Sequence, residues 1–431
     1  MALSVLPVAL HAQDTTRVPT GVELIGRYNV AKRPLIAVRP LTSDAADAAV
    51  AGTVSAILRQ DLDYSDRFEI GEVPANLATG AVDYRQWNSL NVWYLVTGGI
   101  SHSSSGYELK LDLHDVVYGS IKSTATYPLP QATARDFRMA VHRAADEIVR
   151  AITNQPGMAA TRIAFIRRAG NGYELVAVDY DGENPQRIIS SPTMIYSPAW
   201  SPDGRKLAYA VRNANARVEL HERDLASNRV RVISSRPEVS FTPAYSPDGR
   251  RLAFAVSVGG VVTEINDYDL VQGCCMRRIS RGPRNDLNPT YSPDGRRIAF
   301  LSDRVGVPHI FVMASEGGEA SMLTPYNTER VKFTAPSWSP GGNEVAFSGQ
   351  SRGGFQIMIA DVRRPGVAKQ VTSSGDNEDP SWAPDGRHII FSSTGREGSG
   401  LYVIDTVTGR RRQVVAGVRL RTPEWSQRLT N

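Results

Sequence analysis

Long apolar runs are missing from this 431-residue chain. No stretch approaches the roughly eighteen uninterrupted apolar residues that cross a bilayer as a helix. Cysteine is nearly absent. The two that occur, Cys274 and Cys275, are neighbours; on a regular strand they point to opposite faces, so the expectation is that they form no ordinary disulfide. No Cys-x-x-Cys occurs, and the seven histidines include neither His-x-His nor His-Glu-x-x-His, which excludes the familiar zinc spacings. The one Gly-x-Ser-x-Gly string, Gly349-Gln-Ser-Arg-Gly353, lies between two strand-like runs and not between a strand and a helix, so it is no nucleophile elbow. Charge of one sign is not in excess: 49 basic and 44 acidic residues leave +5, scattered along the chain, which argues against nucleic-acid binding. The run Arg410-Arg411-Arg412 reads as a solvated strand end.

Repetition is what the chain has in abundance. The string PAWSPDGRKLAYA from Pro198 returns as PAYSPDGRRLAFA from Pro243, PTYSPDGRRIAFL from Pro289, PSWSPGGNEVAFS from Pro336 and PSWAPDGRHIIFS from Pro380. Its aromatic recurs at Trp200, Tyr245, Tyr291, Trp338, Trp382 and Trp425, a spacing of 43 to 47 residues that matches a propeller blade. Each copy is two short apolar strands joined by Pro-Asp-Gly, where Pro presets φ and Gly accepts a positive φ. A second hairpin follows each copy; six can be found, beginning near Gly172, Val218, Thr263, His309, Phe355 and Leu401. Six blades of four strands are therefore expected over residues 158–431. Arg162-Ile-Ala-Phe-Ile166 has the second half of the repeat without the first, and Thr422-Pro-Glu-Trp-Ser426 the first without the second. Pairing them closes the ring through one split blade and removes its open edges.

Residues 1–12 contain an apolar run ending in Leu-His-Ala-Gln, similar to the core and cleavage region of a secretory signal without its basic n-region. The mature protein is expected to be soluble and exported. Residues 13–31 are polar with Pro19, Gly21 and Gly26 and read as a mobile arm. From Arg33 the pattern becomes strand, then helix with Ser43 as its cap, then short strands around Phe68 and Trp93 separated by a helix near Tyr84. An alternating strand over residues 107–117, its partner over 123–129 and a helix over 134–152 complete a small α/β domain, residues 32–155. Asn154-Gln-Pro-Gly157 punctuates its end.

The strings SPAWSPDGRKLAY, TPAYSPDGRRLAF and NPTYSPDGRRIAF, the junction QPGMAATRIAFIRRAGNGYELVAVDYDGENPQRI, and RPLIAVRPL, ILRQDLDYSDRFEI and LKLDLHDVVYG upstream together resemble the TolB family of periplasmic propeller proteins. The resemblance implies a monomeric, cofactor-free adaptor of the Tol-Pal cell-envelope system. Its mouth would take the lipoprotein Pal and its N-terminal arm the C-terminal domain of TolA, with other outer-membrane proteins as further partners, in support of envelope integrity and constriction at division. The arm would use Val22, Glu23, Leu24, Ile25 and Tyr28, adding an extended segment to a sheet edge of the partner. Topology places the loops just upstream of each repeat nearest the axis. The mouth residues are then Met194, Val239, Phe241, Asn285, Asp286, Asn288, Arg330, Phe333, Asn377, Asp379 and Arg421, a mixture of exposed apolar and polar groups suited to a protein partner.

Two other classes compete. An exported propeller could hold a small ligand or a cation at its axis, with Asp379 and Asn377, or Asp286, Asn285 and Asn288, as ligands. A propeller-type hydrolase or lactonase would need convergent ligands or a nucleophile on a strand-to-helix elbow; the zinc spacings are missing, and Gly349-Gln-Ser-Arg-Gly353 lacks that setting. Asp179-Tyr-Asp-Gly182 resembles a calcium loop but falls at a hairpin turn.

Overall fold

The computed structural model describes residues 22–23, 33–213, 215, 217–234, 240–259, 262–326, 331–351, 354–396 and 398–429. In the α/β domain the strand order is Glu69–Gly71, Leu35–Val38, Val92–Ser103, Gly106–Asp115 and Ser120–Pro130. The first three are parallel and the last three run as an antiparallel meander. Ile36, Ala37 and Val38 are all buried because helices cover both faces of the parallel part, which is why that strand reads as a continuous apolar run. Helices α1 (Ala48–Tyr64) and α3 (Phe137–Thr153) cover one face through Val54, Leu58, Val141 and Ile148. Short α2 (Tyr84–Ser89) covers the other, where Trp87 is fully buried against Ala37 and Leu95. A 3-10 turn, Ala45–Asp47, precedes α1, so the helix begins at Ala48 and Ser43 does not cap it. Asn154 ends α3 in the left-handed region, φ 54°, with its N–H on the Arg150 carbonyl.

Six four-stranded antiparallel sheets follow. Blade 1 joins Arg421–Trp425 to Arg162–Ala169, Gly172–Asp179 and Gln186–Ser191, so chain end and propeller start close the ring as expected from the split repeat. Blades 2 to 6 begin at Ile195–Trp200, Ser240–Tyr245, Asp286–Tyr291, Phe333–Trp338 and Asp376–Trp382, the strands that carry the recurrent aromatic. Each aromatic wedges between neighbours: Trp200 packs on Ala164, Ile166 and Leu175 of blade 1, and Trp338 on Ala299 and Leu301 of blade 4. The Ser-Pro-Asp-Gly turn is built by its own side chains. Ser201 Oγ donates to Asp203 Oδ1 at 2.6 Å and accepts from Lys206 N, while Gly204 holds φ +67°. The same pattern recurs at Ser246 and Ser292. These are architectural turns.

The expectation for the two cysteines is corrected. The Sγ atoms of Cys274 and Cys275 are bonded. The contrary expectation assumed a regular strand, but Cys275 leaves the extended region at φ 67°, which turns both side chains to one side. Of the arm, Val22–Glu23 are among the described residues. In the structure Val22–Glu23 forms a parallel pairing with the outer strand of blade 5, Val22 opposite Ala368 and Glu23 opposite Lys369, because an outer blade strand offers an open row of backbone groups. Residues 1–12, expected to hold a signal segment, and the rest of the arm, including Leu24, Ile25 and Tyr28, lie outside the described residues.

The two domains meet through buried charge. The stretch after α1 inserts Asp66, fully buried, against blade 6. Its carboxylate accepts from Arg410 at 3.0 Å, His388 Nε2 at 3.1 Å and Arg412 at 3.3 Å, and its carbonyl accepts from Arg387 at 2.9 Å. Asp61 of α1 accepts from Tyr180 Oη of blade 1 at 2.7 Å and pairs with His142 of α3 at 2.8 Å. Asp179 and Asp181, the apparent calcium loop, sit in this interface facing Arg138 and Arg162 and form a hairpin turn. The contacts come from the starts of second and fourth strands and the ends of third strands, so the α/β domain covers the Pro-Asp-Gly end of the ring at blades 6 and 1. The opposite end carries the connections between blades. Among the described residues no helix is long and apolar enough to cross a membrane.

Candidate functional site: the axial channel and mouth

Every inner strand is broken at the same place. Pairing with the second strand slips in all six blades, and the slip falls on a residue of positive φ followed by proline. These are Ser197, Thr242, Asn288, Ala335, Asp379 and Thr422, with φ 31°, 54°, 50°, 51°, 55° and 45°. Proline has no N–H to continue the ladder, so the strand bulges. A left-handed conformation in a residue with a Cβ costs about 1 to 2 kcal/mol each. Recurrence in every blade shows the bulge to be built into the repeat. Together the six line an axial cavity of about 610 Å³ that runs from the bulges to the Pro-Asp-Gly end.

Hydrogen bonds link the bulges from blade to blade. Asn288 N donates to Thr242 Oγ1 at 3.3 Å, Asp379 N to Ser348 Oγ at 3.1 Å, and Thr422 N to Asp379 Oδ2 at 3.0 Å. Below them Ser381 Oγ donates to Glu424 Oε2 at 3.3 Å. Burial raises the pKa of Asp379, and burial pushes the Glu424 carboxyl up to about 8, so Glu424 is largely neutral at pH 7. The one carboxylate and imidazole group close enough to share an ion among the described residues is Asp66, His388 and Asp405. It lies in the domain interface, where Arg387, Arg410 and Arg412 already supply the positive charge.

The residues expected at the mouth divide into three sets. Met194 and Arg421 are exposed, and Phe241 is half-buried. Asn288 and Asp379 belong to the bulge ring. Asn285, Asp286, Phe333 and Asn377 are spent on internal contacts, which corrects the expectation that Phe333 is exposed. Asp286 is fully buried and grips Arg304 at 3.0 and 3.2 Å. Asn285 accepts from Thr263 N at 3.1 Å. Asn377 is buried among Gln356, Thr372 and Ser374, and Phe333 lies under His309 and Phe347. Val239 and Arg330 lie outside the described residues.

Three exposed apolar residues at this end escaped the sequence reading as site residues: Val305, Tyr326 and Val418, the last two 71% and 74% exposed. They occupy turns between second and third strands or connections between blades. Counting hairpins would have located them. Around them Arg212, Arg281, Arg284, Lys332, Arg419 and Arg421 are exposed. This end of the ring thus exposes apolar and basic side chains together, above the polar channel.

Fold and site together define a six-bladed propeller with an α/β domain clamped to one end and an uncovered loop face, exposing apolar and basic side chains, at the other. Residues 149–429 match the TolB beta propeller domain and residues 26–121 the TolB amino-terminal domain. The chain belongs to the TolB family. It is 40% identical over 165 residues to the Tol-Pal system protein TolB of Methylococcus capsulatus, covering 36% of this chain and 38% of that one. To the namesake from Albidiferax ferrireducens it is 38% identical over 159 residues, or 36% and 37%. These alignments thus span well under half the length of either relative. The crystal structure of TolB from Acinetobacter baumannii superposes with a TM-score of 0.80 at 27% identity, over 92% of this chain and 97% of that one.

Proposed function

We propose that this chain is a non-enzymatic, monomeric adaptor of the Tol-Pal system in the periplasm, exported through the apolar segment within residues 1–12. The mouth takes Pal and the arm takes the C-terminal domain of TolA, supporting outer-membrane integrity and envelope constriction at division. The observation that carries this reading is the uncovered mouth, with Met194, Val305, Tyr326 and Val418 exposed at the same end as the exposed Arg284, Lys332, Arg419 and Arg421, in a chain similar to proteins named as Tol-Pal components. Apolar anchors within a polar rim are what a protein interface needs. The exposed basic residues favour an acidic partner surface. For the arm, the backbone groups of Val22–Glu23 that now pair with blade 5 are those an edge strand of TolA would use, so the two pairings exclude one another.

Titration calorimetry with purified Pal tests the mouth. Tyr326→Ala should weaken Pal by about 2 kcal/mol, roughly thirtyfold, as removal of an interface anchor does, and Phe241→Glu should weaken it as well. Both should leave TolA binding intact. Deleting residues 13–31 should abolish TolA binding and preserve Pal. Wild-type Pal affinity in both mouth variants would refute the placement, and TolA binding without the arm would refute the second half of the proposal.

A further inference from the structure

The outer hairpin of blade 3 joins Val262–Asp269 to Cys274–Arg278. Asp269 Oδ1 accepts from Val271 N at 3.0 Å and Gln272 N at 2.9 Å, which tightens the turn. The pairing then slips: Arg277 faces Asp267 while Cys274 faces Asp269, so the returning strand carries an extra residue. Cys275 sits there with φ 67°. In the corresponding turns of the other blades, positive φ falls on Gly182, Asn184, Asn228, Gly317, Gly366 and Gly409, residues that adopt it readily. Cysteine does so at a cost of about 1 kcal/mol. The turn does not call for it. What Cys275 adds is a sulfur bonded to the sulfur of Cys274.

Both cysteines are exposed, as are Val271, Gln272 and Gly273 before them. Thiol–disulfide exchange needs an attacking thiolate to reach a disulfide sulfur, and this tip is open to one. Arg277 and Arg278 follow immediately. They are engaged by acids, Arg277 with Asp267 at 2.8 Å and Arg278 with Glu264 at 3.2 Å, which anchors the returning strand and leaves the sulfurs beyond it.

We propose that Cys274–Cys275 is a surface thiol–disulfide exchange site whose reaction partner is an oxidoreductase of the Cys-x-x-Cys dithiol class. A thiolate of the reduced partner attacks one of the two sulfurs; the Cys274–Cys275 bond breaks, a mixed disulfide forms, and the other cysteine leaves as a thiolate that takes a proton. The partner's second thiolate then attacks its own sulfur in the mixed disulfide and expels the second cysteine, which is protonated in turn. Two electrons and two protons pass to this chain, and the partner leaves oxidised. The reverse sequence closes the pair. In the mixed disulfide the freed cysteine is adjacent to the bonded one, the arrangement of a sensor thiol with its resolving partner. The tip lies at the Pro-Asp-Gly end of blade 3, away from the mouth, so opening it leaves the Pal-binding face unaltered.

The test uses the full chain, air-oxidised, then treated with reduced thioredoxin as the dithiol probe, alkylated with iodoacetamide and weighed intact. The expected result is no alkyl group before treatment and two after it, with thioredoxin oxidised in equal amount. A phosphine reductant serves as a control for a closed but inaccessible bond. The Cys274→Ser chain should oxidise no thioredoxin, and neither should Cys275→Gly, which keeps the turn and should remain folded by circular dichroism. Alkylation of both cysteines in the air-oxidised chain would overturn the proposal, because the sulfurs would then be unbonded in solution. So would opening by the phosphine with none by thioredoxin.

Discussion

Replacing Asp66 by asparagine removes one negative charge from the domain interface and little else. The residue holds φ 55°, a conformation Asn tolerates as well as Asp, and its side chain is fully buried. Its carboxylate lies within 3.5 Å of Arg33, Arg410, Arg412 and His388. With the charge gone, an amide NH₂ faces guanidinium and imidazole donors. Removing one member of a buried ionic group costs about 3 to 5 kcal/mol. Arg410 and Arg33 are 36% and 26% exposed and Asp63 still holds Arg410 at 2.7 Å, so solvent and that second acid relieve part of it. The expected loss is therefore at the low end, about 3 kcal/mol, read as a lower midpoint in urea with unchanged slope. His388→Gln in the same background should show coupling of about 1 to 2 kcal/mol, since the two side chains touch. The interface also has a pH signature. Burial opposes charging of His388, but Asp385 at 2.6 Å and Asp66 outweigh it and raise its pKa above the ordinary value. Stability from this group is thus complete below about 6.5 and is lost as pH climbs through the raised folded value. Burial would likewise raise Asp385, yet His388 holds it down to about 2, so its contribution is lost as pH falls from about 4 toward 2. The wild type should lose stability on the alkaline side more steeply than His388→Gln. A change under about 0.5 kcal/mol for Asp66→Asn, or strict additivity with His388→Gln, would refute the reasoning.

Two further perturbations have definite signs. Glu424 is held up to about 8 by burial, so between the unfolded value near 4.3 and that pH folding must take up a proton. Glu424→Gln should therefore stabilise the protein at pH 7, by about 1 to 2 kcal/mol once the open channel beside it is allowed for, and have little effect at pH 4; thermal unfolding at the two pH values checks it, and destabilisation at pH 7 would contradict it. A Cβ on Gly157 would lie 2.1 Å from Asp146 Oδ1, the atom that accepts from Ala159 N at 2.8 Å; Gly157→Ala should cost about 2 to 3 kcal/mol in urea denaturation, whereas Gly170→Ala, with nothing within 4 Å and an exposed turn, should cost only its backbone strain of about 1 kcal/mol.

Blade number and closure were legible because they depend on period alone: an aromatic every 43 to 47 residues and two half-repeats at the ends leave one way to close a ring. The α/β domain was legible for a similar reason, as α3 and the alternating strand Gly106–Asp115 follow their periods. The site was less so. A loop upstream of each repeat could be placed near the axis, but whether Phe333 faces partner or core depends on His309 and Phe347, which reach it from blade 4 and from the next strand of blade 5 and not from its own segment. Asp286 and Asn377 were read as available polar groups, and each is consumed by a residue 18 or 21 positions away. The bonded cysteines depended on one backbone angle. Nothing in the local pattern sets Cys275 to φ 67°; the slip against Asp267 and Asp269 does.

The position of the α/β domain follows from how the ring is closed. A propeller joined by a split blade has one seam held without covalent continuity, here between Arg421–Trp425 and Arg162–Ala169. Opening it would free the paired edges of those two strands of blade 1 and expose Trp425, whose Nε1 donates to Thr161 Oγ1 at 2.7 Å. The α/β domain grips both sides of that seam. On the blade 1 side α3 reaches past Trp425 to the chain end: Arg143 Nε donates to the Leu429 carbonyl at 3.1 Å, and Arg428 pairs with Asp146 at 3.3 Å and Glu147 at 2.7 Å. Across the seam Asp63 and Asp66 hold Arg410 and Arg412 of blade 6. The linker leaving α3 is tied down by Asp146 accepting from Ala159 and Ala160, so the domain cannot swing away without releasing the strand that begins blade 1. Closure and domain docking are therefore one cooperative unit, and it occupies the Pro-Asp-Gly end at blades 6 and 1. That leaves the opposite end of all six blades free of the α/β domain, and it is there that the loops differ in sequence and expose apolar and basic side chains.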